Sequence, residues 1–207
     1  MRARTPYGDL QDRVSRRIRG KGTDWAFTPS DFADFGDPRS VGVVLTRLVR
    51  AGTIRRVSRG VYETPHEHPL IGTIGAGAQA ATEAIARRDA LKLLPSGANA
   101  ANLLGLSTQV AARAAYGVAG RTRVLRTGGK SEVILRRRST KTMALAGRAS
   151  GWVAEALRNI GRVNITPARL AELKTRFSPA DRRQLRADLR YVPAWMRPHF
   201  LFLAGKE

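Results

Sequence analysis

Cysteine is absent from this 207-residue chain. Disulfides, thiolate metal sites and cysteine nucleophiles are therefore excluded. Histidine is scarce, with three copies, and two of them, His66 and His68, lie in Pro65-His-Glu-His-Pro69. A zinc site needs three or four protein ligands and none follows nearby, so the stretch reads as a solvated linker and no metal is expected. Acidic residues number 16 against 37 basic ones, and outside helix starts they form no close pair suited to acid–base chemistry. Asp89-Ala-Leu-Lys92 carries part of a metal-nuclease pattern without an acidic partner upstream. Gly72-Thr-Ile-Gly-Ala-Gly77 lacks the spacing of a phosphate loop. Serine, histidine and aspartate offer no triad. No catalytic residue, enzymatic activity or cofactor is expected. Long apolar runs are also missing, as is an apolar signal segment near Met1, so the expectation is a cytoplasmic protein that makes no membrane contact.

What is present is positive charge. The formal net charge is +21 at pH 7 and 43% of residues are apolar, enough for real cores and unlike a disordered basic tail. Residues 1–65 hold 13 basic and 7 acidic residues, 66–141 hold 12 and 4, and 142–207 hold 12 and 5. The excess is spread along the chain. Such a field attracts polyanions, nucleic acid foremost. An acidic partner for the second half, or an arginine-favouring composition bias, accounts for the later charge equally well.

The stretch from Asp37 to Tyr62 organises the rest. Asp37 suits a helix cap, Pro38 the first helical position and Gly52 the position just past the end. Val41, Val44, Leu45, Leu48 and Val49 recur at three- and four-residue steps and define an inward face. Arg39, Ser40, Val43, Thr46, Arg47 and Arg50 lie opposite. Two β-prone runs then flank Ser58-Arg59-Gly60, predicting a ribbon that bears Arg55, Arg56 and Arg59. Upstream come a helix over 8–20 with Leu10, Val14 and Ile18 inward, an aromatic strand at Trp25-Ala-Phe27, and a short helix opened by Thr28-Pro-Ser-Asp31. This order predicts a winged helix-turn-helix over residues 1–65. Between Arg39 and Arg59 stand six arginines and no acid. Arg39, Ser40, Val43 and Arg47 are the expected base readers, while Arg50 and the ribbon arginines are expected to meet phosphate or the minor groove. An ordinary solvated helix face is the alternative.

The remaining 66–207 reads as a mixed α/β domain with a mainly helical tail, making the whole chain α+β. Helices are predicted over 76–91, 99–104, 144–160, 168–176 and 180–190, with an aromatic-rich one after Pro193. Strands are predicted at 92–94, 116–118, 121–126 and 132–138, the last two joined through Gly128-Gly129. Arg136-Arg-Arg138 is either a solvated strand end or an anion contact. Arg182, Arg186 and Arg190 form a stripe expected to be a solvated face. Trp195, Phe200 and Phe202 are expected core anchors.

Ala26-Phe-Thr-Pro-Ser-Asp-Phe32 and Leu45-Thr-Arg-Leu-Val-Arg-Ala-Gly-Thr-Ile-Arg-Arg-Val-Ser-Arg-Gly-Val-Tyr62 resemble the N-terminal winged domain of AbiEi-type antitoxins of type IV toxin–antitoxin systems. Pro95-Ser-Gly-Ala-Asn-Ala-Ala-Asn-Leu-Leu-Gly-Leu-Ser-Thr-Gln-Val-Ala-Ala-Arg113 is similar to the motif that follows in that family. Gly128-Gly-Lys130 and Ile134-Leu-Arg-Arg-Arg-Ser139 fit as well, with Tyr191-Val-Pro-Ala-Trp-Met196 a weaker match. The resemblance implies a bacterial autorepressor whose N-terminal domain binds double-stranded DNA at promoter inverted repeats. It also implies a second domain that opposes a nucleotidyltransferase toxin without a stable complex, direct contact being left open here. Only the winged-helix positions carry over; no antitoxic residue is assigned. A nucleic-acid-processing enzyme or accessory factor that docks through its winged helix, or a plain transcriptional regulator, is the other reading.

Overall fold

A computed structural model describes residues 6–69, 72–107, 113–127 and 131–205. The fold is mixed α+β and divides into two compact units, 1–90 with 125–133, and 91–124 with 134–207.

In the first unit, α1 (Pro6–Lys21) leads to β1 (Ala26–Phe27), a 3-10 segment (Pro29–Phe35) and α2 (Pro38–Arg50). The strands β2 (Arg55–Ser58) and β3 (Val61–Glu63) follow. Four-residue steps on α1 bury Leu10, Val14 and Ile18 against Val41, Val44, Leu45 and Leu48 of α2, with Phe27, Phe32 and Ile54 filling the space between. Thr28 and Asp31 form a capping box at the 3-10 segment, the Thr28 N–H donating to the Asp31 carboxylate at 2.8 Å. Arg17 fastens the far end of that segment: it forks onto Asp34 through two 2.6 Å bonds and lies 3.8 Å from the centre of the Phe35 ring. The three strands pair antiparallel in the order β1-β3-β2, with Phe27 and Arg56 both in register with Tyr62.

The chain then departs from expectation. Residues 64–69 are not a linker: β4 (His66–His68) pairs antiparallel with β5 (Gly72–Ile74), His66 opposite Ile74. Helix α3 (Gly77–Arg88) follows and buries Ala81, Ala84 and Ile85 against Ala26 and Val61. Arg87 reinforces this, donating to the Ala26 carbonyl at 2.8 Å and pairing with Asp31 at 3.0 Å. The unit boundary therefore falls after Ala90 rather than after residue 65, because α3 completes the apolar cover of β1 and β3.

The second unit has β6 (Leu94–Pro95), α4 (Gly97–Leu103) and β7 (Ala114–Val118), and most of the hairpin β8 (Arg123–Arg126) and β9 (Glu132–Arg137). Its sheet order is β6-β7-β9-β8. Then come α5 (Thr140–Met143), α6 (Ala149–Ile160), α7 (Pro167–Thr175), α8 (Pro179–Ala187) and α9 (Arg197–Ala204), with short 3-10 turns between the later ones. The helix predicted over 144–160 begins only at Ala149. Gly147 adopts a φ of 78° that a continuing helix does not allow. Thr166 and Ser178 cap α7 and α8 as their Thr-Pro and Ser-Pro spacing predicts, accepting from the N–H of Arg169 and of Asp181. Alanines 100, 101 and 154 bring α4 and α6 close, and Leu157, Leu173, Leu185, Met196 and Phe200 complete the core. Phe200 is buried, but Trp195 is half-buried and Phe202 exposed, so only one of the three aromatics is a full anchor.

The stripe of Arg182, Arg186 and Arg190, on α8 and the 3-10 turn after it, is not simply solvated. Arg182 donates to the Lys174 carbonyl at 3.2 Å and Arg186 to that of Gly205, so both finish the carbonyl ends of neighbouring helices. Arg190 lies over the Tyr191 ring. Among the described residues no helix is long and apolar enough to cross a membrane. Gly128 to Lys130, and residues 108–112 of the stretch that begins at Pro95, lie outside the described residues.

Candidate nucleic-acid interface

Both ends of α2 are set by local chemistry. The Asp37 carboxylate accepts the backbone N–H of Arg39 at 3.1 Å and of Ser40 at 2.9 Å, and the Ser40 hydroxyl at 2.8 Å. These bonds, that from the Arg39 N–H first, hold the Asp37 carboxyl below its ordinary 3.8. At the other end the N–H of Thr53 reaches the Leu48 carbonyl and that of Gly52 the Val49 carbonyl, with Gly52 at φ 71°. This is the two-bond Schellman closure, and the positive φ is why glycine stands there.

Four apolar positions turned inward leave a defined outer face. Arg39, Val43, Thr46, Arg47 and Arg50 are exposed and Ser40 is half-buried. From Arg39 to Arg50 the face runs about 16 Å at 1.5 Å per residue. The Ser40 hydroxyl is engaged in the Asp37 cap, and the Thr46 hydroxyl donates to the Gly42 carbonyl at 2.8 Å. The arginines and the Val43 side chain dominate what the face offers a partner.

Ile54, buried in the core, fixes where β2 begins. Arg56 and Arg59 are exposed on the hairpin, with Gly60 at φ 72° closing the turn. Arg56 Nε also donates to the Ser58 carbonyl at 3.2 Å. Arg55 differs. Its Nε donates to Glu63 Oε1 at 2.6 Å, and the other carboxylate oxygen accepts the Ala76 N–H at 3.0 Å. A methyl at Gly75 would collide with that carboxylate and with Arg55, so the glycine makes room for the pair. Arg55 thus ties β2 to β3 through Glu63, and Glu63 in turn holds the hairpin to the segment ahead of α3.

Sequence reasoning missed Glu63 and Arg87. The signal for Glu63 was present: Val61 and Glu63 share a strand face by period two, and Val61 is buried. An acid on that face needs a partner, and Arg55 stands opposite it in register. Arg87 gave no such signal, since its partners lie 56 and 61 residues away.

No curated protein matches the chain. Among solved structures, the RV2827C protein from Mycobacterium tuberculosis is similar at 16% identity and a TM-score of 0.46, over 100% of this chain and 80% of that one. Residues 13–184 match the family described as a family of unknown function, DUF6088. That span takes in the 3-10 segment, α2, the hairpin and most of the second unit, and the chain belongs to this family.

Proposed function

We propose that residues 6–63 form a winged helix-turn-helix that binds double-stranded DNA. Helix α2 enters the major groove and the β2–β3 hairpin serves as the wing along the backbone. The observation that carries this is the exposed α2 face of Arg39, Val43, Arg47 and Arg50, capped at both ends and followed at once by a hairpin bearing Arg56 and Arg59. No acidic residue occurs from Pro38 to Tyr62 to oppose a phosphate backbone. A helix fits the roughly 12 Å major groove, where an arginine fork matches the guanine O6 and N7 acceptors and a valine meets a thymine methyl. Arg39, Val43 and Arg47 read bases, Ser40 and Thr46 add contacts through their free lone pairs, and Arg50, Arg56 and Arg59 contact phosphate. Arg55 acts through the Glu63 pair instead.

The test is a pair of variants titrated against promoter DNA from the protein's own operon. Arg47→Ala costs about 1–3 kcal/mol on the specific site and relaxes preference at one base pair. Arg56→Ala weakens all sequences alike and reduces the slope of log affinity on log salt by about one. Wild-type binding by both variants overturns the assignment.

The resemblance of Pro95 to Arg113 supports the wider role: an autorepressing antitoxin whose second unit counteracts a nucleotidyltransferase toxin. Co-expression with the adjacent gene tests it. Restored growth with the full chain supports the antitoxin role, and repression without rescue leaves a plain regulator.

A further inference from the structure

The geometry points to a binding site for a phosphomonoester in the second unit, separate from the DNA-binding face. A cavity of about 300 Å³ is lined by Arg113, Arg136, Arg138 and Arg158, with Glu155, Ser96 and Asn159 among its other walls. Four arginines against one carboxylate leave the cavity strongly cationic. That net positive charge attracts an anion.

The arrangement is built by the fold rather than left at a frayed surface. Glu155 on α6 is buried, 2% exposed, and draws in two of the arginines: Arg138 Nη2 pairs with Oε2 at 3.2 Å, and Arg158 Nη1 with Oε1. Each guanidinium has five N–H donors, so these pairs orient the groups without exhausting them. Arg138 Nε is buried without any acceptor, an uncommon state for a charged donor in a native structure. Two glycines clear space for this wall. A methyl at Gly117 would sit 2.7 Å from Arg138 Cγ, and one at Gly97 would sit 2.6 Å from Asn159 Cβ. The Ser96 hydroxyl makes no capping bond to α4, which leaves it for a ligand. Arg136, next along β9, is exposed.

The chemistry selects the ligand class. A terminal phosphate carries between one and a half and two negative charges at pH 7 and offers three acceptor oxygens, whereas a backbone diester carries one charge. Guanidinium forks match phosphate geometry. The cavity is at the lower end of small-molecule sites in volume, and among the described residues none of its lining side chains is aromatic, so it grips the phosphate and not a base. The Arg136-Arg-Arg138 run thereby takes the anion-contact reading in preference to a frayed strand end.

Calorimetric titration of the full chain with ribose 5-phosphate, ribose and an unphosphorylated dinucleotide tests this. The expected result is saturable binding of ribose 5-phosphate alone, weakened at least about tenfold in Arg136→Gln and retained in Arg47→Ala. Arg136 is exposed and outside the Glu155 pairs, so its replacement leaves the melting temperature unchanged. The site is overturned by no binding of ribose 5-phosphate beyond that of chloride at equal ionic strength, by equal binding of the dinucleotide, or by wild-type affinity in Arg136→Gln. Loss of binding in Arg47→Ala would instead place the phosphate on α2 and likewise refute the cavity.

Discussion

Replacing Arg55 by alanine separates a structural arginine from the neighbours proposed to contact DNA. Glu63 keeps a side chain only 3% exposed, while that of Arg55 is 45% exposed. Without Arg55 the carboxylate stays buried with the Ala76 N–H as its remaining bond. Breaking a fully buried pair costs about 3–5 kcal/mol, and an exposed pair is worth about 0–1 kcal/mol. With one partner buried and the other half in water, solvent screening places the loss near 2 kcal/mol. At a urea dependence of about 2 kcal/mol per molar, the unfolding midpoint falls by about 1 M. Arg56→Ala, two positions from the turn and bonded only to a carbonyl, shifts stability by less than about 0.5 kcal/mol. Urea unfolding followed by circular dichroism on both variants makes the comparison. Equal midpoints for the two would refute the view that Arg55 holds the hairpin, and would return it to the proposed phosphate contacts.

Glycine positions give opposed expectations. Gly42 on α2 has nothing within 4 Å of an added methyl, so Gly42→Ala raises stability by about 0.5–1 kcal/mol. Gly151 on α6 is buried against the Leu145 carbonyl, a backbone group that cannot move aside, so Gly151→Ala destabilises by about 1–3 kcal/mol; thermal unfolding reads both. The carboxyls of Asp34 and Asp37 are held below their ordinary 3.8, Asp34 by the Arg17 guanidinium and Asp37 by the helix-start N–H groups. Their contribution is complete above 3.8 and is lost as pH falls through the lowered folded-state values. Urea midpoints at pH 5 and pH 3 therefore drop less in Asp37→Asn than in wild type, and an identical drop would contradict the cap's role.

Local chemistry was legible. Asp37-Pro38 and Gly52 bound α2, Thr166-Pro167 and Ser178-Pro179 open their helices, and the Ser58-Arg59-Gly60 turn joins β2 and β3, because caps and turns depend on residues within a few positions. What escaped was tertiary. The Pro65-to-Pro69 stretch resembles a linker by composition, yet its strand is decided by pairing with Gly72–Ile74. The alanine-rich α3 carries too little apolar bulk to declare its partner, and its place in the first unit rests on Ala26 and Val61. Arg182 and Arg186 look like any charged helix face until the carbonyls they finish are known. The candidate interface was correspondingly clear as a face and unclear as a division of labour, since nothing around Arg55 alone says that it pairs with a buried acid.

The measurement that bears most directly on the account is a fluorescence-anisotropy titration of the full chain with its own promoter duplex and a scrambled duplex, at two salt concentrations. The expected result is tighter binding to the promoter, with that preference lost in the Arg39→Ala, Arg47→Ala double variant while salt-dependent binding to both duplexes persists. Equal affinity for the two duplexes in the wild type, or an undiminished preference in the double variant, would contradict it.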